Sequence, residues 1–219
     1  KVVSGLGLDI KSLAGELLPT VVLDRDKGPA ILRGGYGETV EGVSADEARA
    51  WAGMRAKLLL QASVLKRFLG RRPPRPGELG YRDLFDMGLA GLSLIRKGRD
   101  EGRDFARMLL MNVADIADEY LSDDRLKGLI AFDATLGIHL GPRSPTSLLG
   151  LYYRLTGEAL GRPGGQFVPQ GGMGAVAAAL ESAALRTGAE IRLNAPVTRI
   201  VSARGRATAV ILASGEQID

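Results

Sequence analysis

Residues 171–219 read GGMGAVAAALESAALRTGAEIRLNAPVTRIVSARGRATAVILASGEQID, from Gly171 to Asp219, and this stretch decides the fold class. Residues 175–187 are almost all strong helix formers with no Pro or Gly among them, which predicts a helix. Gly188 stands where a left-handed residue would close it. Residues 190–193 alternate polar and apolar, the period of a half-buried strand, and Pro196 breaks that strand. Residues 197–201 and 207–213 then read as two strands joined by Ser202-Ala203-Arg204-Gly205-Arg206. Ser214-Gly215 is a further turn, and residues 216–219 begin a third strand. A helix followed by short strands is the pattern of a mixed α/β, or α+β, fold.

The chain opens on Lys1-Val2-Val3 rather than on Met, and Asp219 falls inside a predicted strand. A sheet edge cut in mid-strand leaves backbone groups unpaired. The expectation is a fragment of a longer polypeptide.

Working outward, residues 20–23 and 30–33 predict a β-hairpin around the turn-forming cluster Asp24-Arg25-Asp26-Lys27-Gly28-Pro29. A loop through Gly34-Gly35-Tyr36-Gly37 follows. Ser44-Ala45-Asp46-Glu47 is a capping box. It opens a helix whose apolar residues Trp51, Met54, Leu58, Leu65 and Phe68 recur near helical spacing, with Gly70 and Pro73 ending it. Arg71-Arg72-Pro73-Pro74-Arg75-Pro76-Gly77 is a stiff, basic linker. A solvated loop is the favoured reading, and contact with anionic groups such as lipid headgroups is the other. Helices are predicted over 82–95, 104–111 and 113–120. Ser122 is the expected cap of a helix over 123–134. Ser144 as N-cap with Pro145 at the first helical position predicts another through Tyr153. The organisation is a helical body with a small sheet, then a helix-plus-strands segment after Gly165.

Composition narrows the function classes. With 45% hydrophobic and 25% charged residues in 219, the chain can form one large globular domain or two smaller ones. Its 30 glycines, about twice the usual share, predict many turns or close backbone approaches. The net charge of +4 is spread along the chain and only 5% of residues are aromatic. A basic stripe with stacking rings is therefore missing, and nucleic-acid binding is set aside. The absence of Cys removes disulfides, thiolate nucleophiles and Cys-ligated metals. A single His, His139, removes His-rich zinc sites, so no metal is expected. No apolar run reaches bilayer length and no signal peptide is visible, although a missing N-terminus would hide one. The expected location is cytoplasmic, with peripheral membrane contact as a further expectation.

Four local features invite a functional reading. Ser4-Gly5-Leu6-Gly7-Leu8 hints at a dinucleotide turn, but Ile10 occupies the third glycine position, and the reading is set aside. Asp115, Asp118 and Glu119 share one helical turn and could hold a metal or move protons, yet a solvated helix face explains them more simply. His139 lies in the Gly-bounded link Leu136-Gly137-Ile138-His139-Leu140-Gly141-Pro142 and could serve as an acid or base. With no Ser/Asp constellation around it, a structural role is preferred. Gly171-Gly172-Met173-Gly174 at a helix start either lets a ligand approach the backbone or serves close packing, and both readings stay open.

Taken together, Met111-Asn112-Val113-Ala114-Asp115 through Glu119, Leu126 to Phe132-Asp133, Gly141-Pro142-Arg143-Ser144-Pro145 and Gly171 to Ile200 resemble the phytoene desaturase-like FAD/NAD(P)-dependent oxidoreductases. The similarity runs from about Arg82 onward. It implies a two-domain flavoprotein, with a substrate domain inserted into a Rossmann-like FAD domain. On that map residues 1–168 are the mostly helical substrate-binding domain and residues 169–219 a partial FAD-binding segment of helix, parallel-sheet strand and β-meander. The resemblance places Val197 where backbone meets the FAD adenine, and Gly172 and Met173 near flavin and substrate. It implies hydride transfer from a hydrophobic polyene or isoprenoid-like substrate to flavin. The nearest competitor is an amine-oxidase-like flavoenzyme, and a non-enzymatic helical module for a partner protein or membrane surface is the alternative outside catalysis. No catalytic side chain can be named. Phe132, His139 and Tyr152 are the candidates for lining the substrate cavity. The family's N-terminal glycine motif, its acidic ribose contact and its C-terminal flavin motif are absent here. The chain alone is therefore expected to bind FAD weakly or not at all, and to be inactive.

Overall fold

The computed structural model describes residues 7, 8, 13–70, 77 and 80–219. Gly7 and Leu8 apart, the glycine turn at residues 4–8 lies outside them, as does the basic linker at 71–77 apart from Gly77. The fold is α+β, and contacts divide the chain into two units: Ala14–Val168, and Lys1–Leu13 with Pro169–Asp219.

In the larger unit β1 (Ala14–Leu17) pairs with β7 (Phe167–Pro169). Strands β2 (Thr20–Val22), β3 (Ala30–Arg33) and β4 (Thr39–Glu41) form an antiparallel meander, with Val21 opposite Ile31 and Leu32 opposite Val40. The predicted β2–β3 turn forms because Asp24 Oδ1 accepts the N–H groups of Asp26 and Lys27 at 2.9 and 2.8 Å. This is the local bond that makes Asp a turn residue.

Helix α1 (Ala45–Leu65) starts at Ser44, whose Oγ accepts the Glu47 N–H at 3.2 Å. The other half of the capping box does not form. The Glu47 carboxylate instead accepts the N–H groups of Ser122 and Asp123, both at 2.9 Å, and so binds the start of α1 to the start of the helix that follows Asp123. Ser122 is consequently not the cap of α5 (Asp124–Thr135). Asp123 is, with its carboxylate accepting the Arg125 N–H at 2.9 Å. Arg125 in turn donates to Gly28 O, and to Gly42 O at 2.8 Å, holding α5 against the meander.

Helices α2 (Tyr81–Lys97) and α3 (Arg99–Leu110) are longer than predicted and meet at Gly98, whose φ of +118° suits only glycine. Helix α4 (Val113–Tyr120) has the predicted bounds and is capped by Asn112, whose Oδ1 accepts the Asp115 N–H at 2.8 Å. Helix α6 (Leu148–Thr156) does not start at Ser144-Pro145. Residues 141–147 make turns, with Thr146 at φ +66°. Ser147 explains the delay: its Oγ accepts the Val113 N–H and donates to Pro142 O, which docks this turn on α4. The short strands β5 (Glu158–Ala159) and β6 (Arg162–Pro163) follow.

The core of this unit gathers Trp51, Met54 and Leu58 of α1, Ile116 of α4, Leu126 and Ile130 of α5, and Leu148 and Leu151 of α6, all nearly or fully inaccessible. Each such side chain contributes about 1.5–3 kcal/mol over its exposed state. Gly150 lets α6 approach α5, since a Cβ there would fall 1.9 Å from Ala134 O.

The smaller unit holds α7 (Gly172–Arg186), which begins three residues earlier than predicted. It closes as expected at Gly188, with φ +83°. The Ala189 N–H donates to Ala184 O and the Gly188 N–H to Leu185 O, the paired bonds of a Schellman cap. Strands β8 (Val197–Ala203), β9 (Arg206–Leu212) and β10 (Gln217–Ile218) form the expected antiparallel meander. The β8–β9 turn is tighter than the predicted five residues. Arg204 and Gly205 both take positive φ (51° and 74°), the two-residue type I′ geometry that matches strand twist.

The predicted strand at residues 190–193 does not form. No neighbour supplies it with a hydrogen-bonded ladder among the described residues. Ile191 and Leu193 stay exposed, while Arg192 pairs with Glu190 and Glu216 at 3.0 and 2.7 Å.

Candidate functional site

In the larger unit the loop Gly34-Gly35-Tyr36-Gly37 joins β3 to β4. Gly34, Tyr36 and Gly37 all take left-handed φ (76°, 50° and 68°), a region costly for Tyr. Bonds from α1 hold the loop there. Trp51 Nε1 donates to Gly37 O at 2.9 Å, and Arg55 donates to Gly35 O at 2.6 Å and to Tyr36 O at 2.9 Å. The Tyr36 ring stacks on Trp51 with centroids 5.9 Å apart. The Arg154 guanidinium lies 5.5 Å from the Tyr36 centroid, a cation–π distance, and donates to Gly164 O at 2.7 Å.

Around this pair lies a cavity of about 160 Å³. Its apolar wall includes Leu18, Leu32, Leu129 and Phe132, and its polar groups include Tyr36, Asp133 and Arg154. Burial pushes the Asp133 carboxyl up from its ordinary range, with Arg154 opposing the shift. Burial likewise pushes the Tyr36 hydroxyl well up, and the Asp133 charge adds to it. That hydroxyl is inaccessible, and the Asp133 carboxyl is the group that acts on it. A wider groove of about 650 Å³ shares Leu18, Thr20 and Gln166 with the cavity.

Of the three residues expected to line a substrate cavity, Phe132 borders this one. His139 sits exposed in the link between α5 and α6. Tyr152 occupies the core, fully buried, with its hydroxyl donating to Gln61 Oε1 and its ring 6.3 Å from Phe105. Asp133 was legible only as the neighbour of Phe132, Tyr36 only as part of a glycine loop, and Arg154 had no local signal. Asp115, Asp118 and Glu119 face basic partners. Arg107 makes two bonds to Glu119 at 3.0 and 3.1 Å, Lys127 contacts Asp118 at 2.8 Å, and Arg143 approaches Asp115 and Asp118. Among the described residues no group of acidic or imidazole side chains is arranged to hold a metal.

In the smaller unit Gly171 and Gly172 enter α7 with φ of +77° and +72°. No side chain caps this helix, and a Cβ at Gly172 would meet nothing within 4 Å. The first-turn N–H groups are therefore free of a side-chain acceptor, an arrangement that favours an approaching negative group. Met173, 70% exposed, follows on the first turn, and Val197 opens β8 with 52% exposure.

The chain belongs to the flavin containing amine oxidoreductase family, whose model matches residues 67–219. Over 129 residues it is 30% identical to pyridine nucleotide-disulfide oxidoreductase domain-containing protein 2 of Rattus norvegicus, covering 57% of this chain and 22% of that protein. The Mus musculus protein of the same name is 31% identical over the same shares. An uncharacterized protein of Mycobacterium tuberculosis is 32% identical over 127 residues, again 57% of this chain and 22% of the relative. The match thus spans less than a quarter of these relatives' length. No solved structure matches the chain at a significant level. These matches show the amine oxidoreductase family and not the phytoene desaturase-like group that the sequence motifs resemble. No helix among the described residues is long and apolar enough to cross a membrane.

Proposed function

We propose that this chain works in an FAD-dependent oxidoreductase that takes hydride from a hydrophobic, polyene or isoprenoid-like substrate. Residues 14–168 contribute to substrate binding and residues 169–219 to flavin binding. The observation that carries this reading is the open double-glycine entry to α7 in a chain of a flavin-containing family. A side chain at Gly172 would fill the space a ligand needs to reach the backbone. The first-turn amides of α7 would receive a negatively charged part of the cofactor, and the exposed Met173 and Val197 would flank it. Bound flavin supplies the hydride acceptor, and the protein's share is binding and orientation. In the larger unit, the apolar wall of the Tyr36 cavity suits a substrate recognised mainly by burial.

The test is anaerobic spectroscopy of the full-length protein. A flavin band near one equivalent, bleached by an isoprenoid polyene, is the expected result. Absence of bound flavin would remove the reading. The family description supports a second substrate class, amines. Bleaching by a primary amine and not by the polyene would select it.

A further inference from the structure

Helix α2 is packed the wrong way round for a helix of a globular domain. Tyr81, Leu84, Phe85, Gly88 and Leu92 follow helical spacing and so share one face, and that face is exposed, Tyr81 by 94% and Phe85 by 66%. Met87 and Leu89, exposed as well, widen it on either side. The opposite face carries Asp86 and Ala90, both buried, and the half-buried Asp83, whose Oδ2 accepts the Gly80 N–H at 3.0 Å. A surface helix normally buries its apolar stripe and turns its charges to water. Here six large apolar side chains look outward from one helix while its acids look inward. Single exposed apolar residues are ordinary, but a contiguous patch marks a contact surface.

The even spread expected of the charge breaks down around this helix. Residues 66–103 hold ten Lys and Arg against five Asp and Glu, a net of +5 where the whole chain carries +4. Arg82 and Arg96 are exposed near the two ends of α2, and Arg99 and Arg103 are exposed on α3. We propose that α2 lies on the surface of an anionic lipid bilayer, with its outward face among the acyl chains and these arginines at the headgroup phosphates.

Charge selects this occupant. An apolar face flanked by cations fits a surface that is apolar within and anionic at its boundary. A second copy of the chain would set the same excess of cations against it. Shape agrees: the hollow on this face is lined by Tyr81, Arg82, Phe85 and Asp86, all of α2 itself, so no second element walls a groove for a partner helix. The 17 residues rise about 25 Å, and no helix among the described residues is long and apolar enough to cross a membrane, so α2 would lie along the surface.

The test mixes the full-length protein with vesicles of phosphatidylcholine alone, or with about one-third phosphatidylglycerol, and reads the bound fraction by sedimentation. Binding to the anionic vesicles is expected to be about tenfold tighter than to the neutral ones, and to be lost at high salt. Phe85→Ser should weaken it about tenfold with the urea midpoint unchanged, because the side chain faces solvent. Leu84→Ser should act in the same direction and serves as the check if Phe85→Ser does not fold. Arg82→Glu combined with Arg96→Glu should abolish the preference for anionic vesicles. No binding to anionic vesicles, or wild-type binding by Phe85→Ser, would overturn the proposal. So would a dimer that Phe85→Ser turns into a monomer without vesicle binding, which would make the face an interface between copies. A urea midpoint lowered by Phe85→Ser without vesicle binding would overturn it too, since another part of the full-length protein would then cover α2. None of these readouts involves flavin, so the proposal stands or falls apart from the oxidoreductase reading.

Discussion

Gly34-Gly35-Tyr36-Gly37 and Gly171-Gly172-Met173-Gly174 differ in one residue, yet the first is walled in and the second lies open at Gly172 and Gly174. At Gly37 a Cβ would meet Leu32 Cδ2 and Trp51 Nε1 at 2.9 Å, and at Gly35 it would meet Arg162 Cβ and Pro163 O at 2.9 Å. At Gly172 and Gly174 it would meet nothing within 4 Å. Glycine in the first loop answers to packing, because the loop must lie against α1 while its carbonyls take bonds from Trp51 and Arg55. Packing does not explain the space at Gly172. Its left-handed φ needs glycine, and the space beside it is what a ligand would use. Composition alone cannot separate these cases, since the difference lies in what stands beside the backbone.

The sharpest way to break this contrast is Gly37→Ala. The added methyl combines overpacking with a left-handed φ, and the expected loss is about 3 kcal/mol, read from urea denaturation of the full chain. Next comes Trp51→Phe, which keeps a ring near Tyr36 but removes the bond to Gly37 O. About 2 kcal/mol should be lost through the unpaired carbonyl and the smaller ring. Gly172→Ala sharpens the other side. With space available, only backbone strain of about 1–2 kcal/mol should appear in the fold, while flavin retention by the full-length protein should fall more than tenfold. An equal loss of stability at Gly37 and Gly172 would erase the distinction. The smallest effect belongs to Asp133→Asn. Burial raises the folded carboxyl above its reference of 3.8, so ionisation opposes folding. Stability of the wild-type chain should fall as pH rises from about 3.8 through the folded value. The variant should lack that decline in a pH series of urea midpoints.

What the sequence made legible was local. Ser44 could be read as a cap because a cap bonds within three residues, and Gly188 because a left-handed closure needs one residue type. The Asp24 turn followed from bonds to Asp26 and Lys27. The reading failed where a distant group decided the outcome. Ser122 lost its capping role to Glu47, and Ser144 lost the start of α6 to Ser147 docking on α4. Ile191 and Leu193 alternate as in a strand, but a ladder requires a neighbour that alternation does not name. Tyr36, Asp133 and Arg154 escaped for the same reason. They meet through a loop, a helix end and a second helix, and each looks ordinary in its own neighbourhood.

The clasps made by Glu47 and Arg125 bear on how quickly this unit can form. Glu47 reaches 75 residues along the chain to Ser122, and Arg125 reaches back 97 to Gly28 and 83 to Gly42. None of these bonds can form until a long intervening loop has closed, and that entropy is lost before the contacts repay it. Helix α1 can therefore appear early in refolding, while its junction with α5 and the meander is expected to lock late, in the slower phase set by topology rather than by helix propensity.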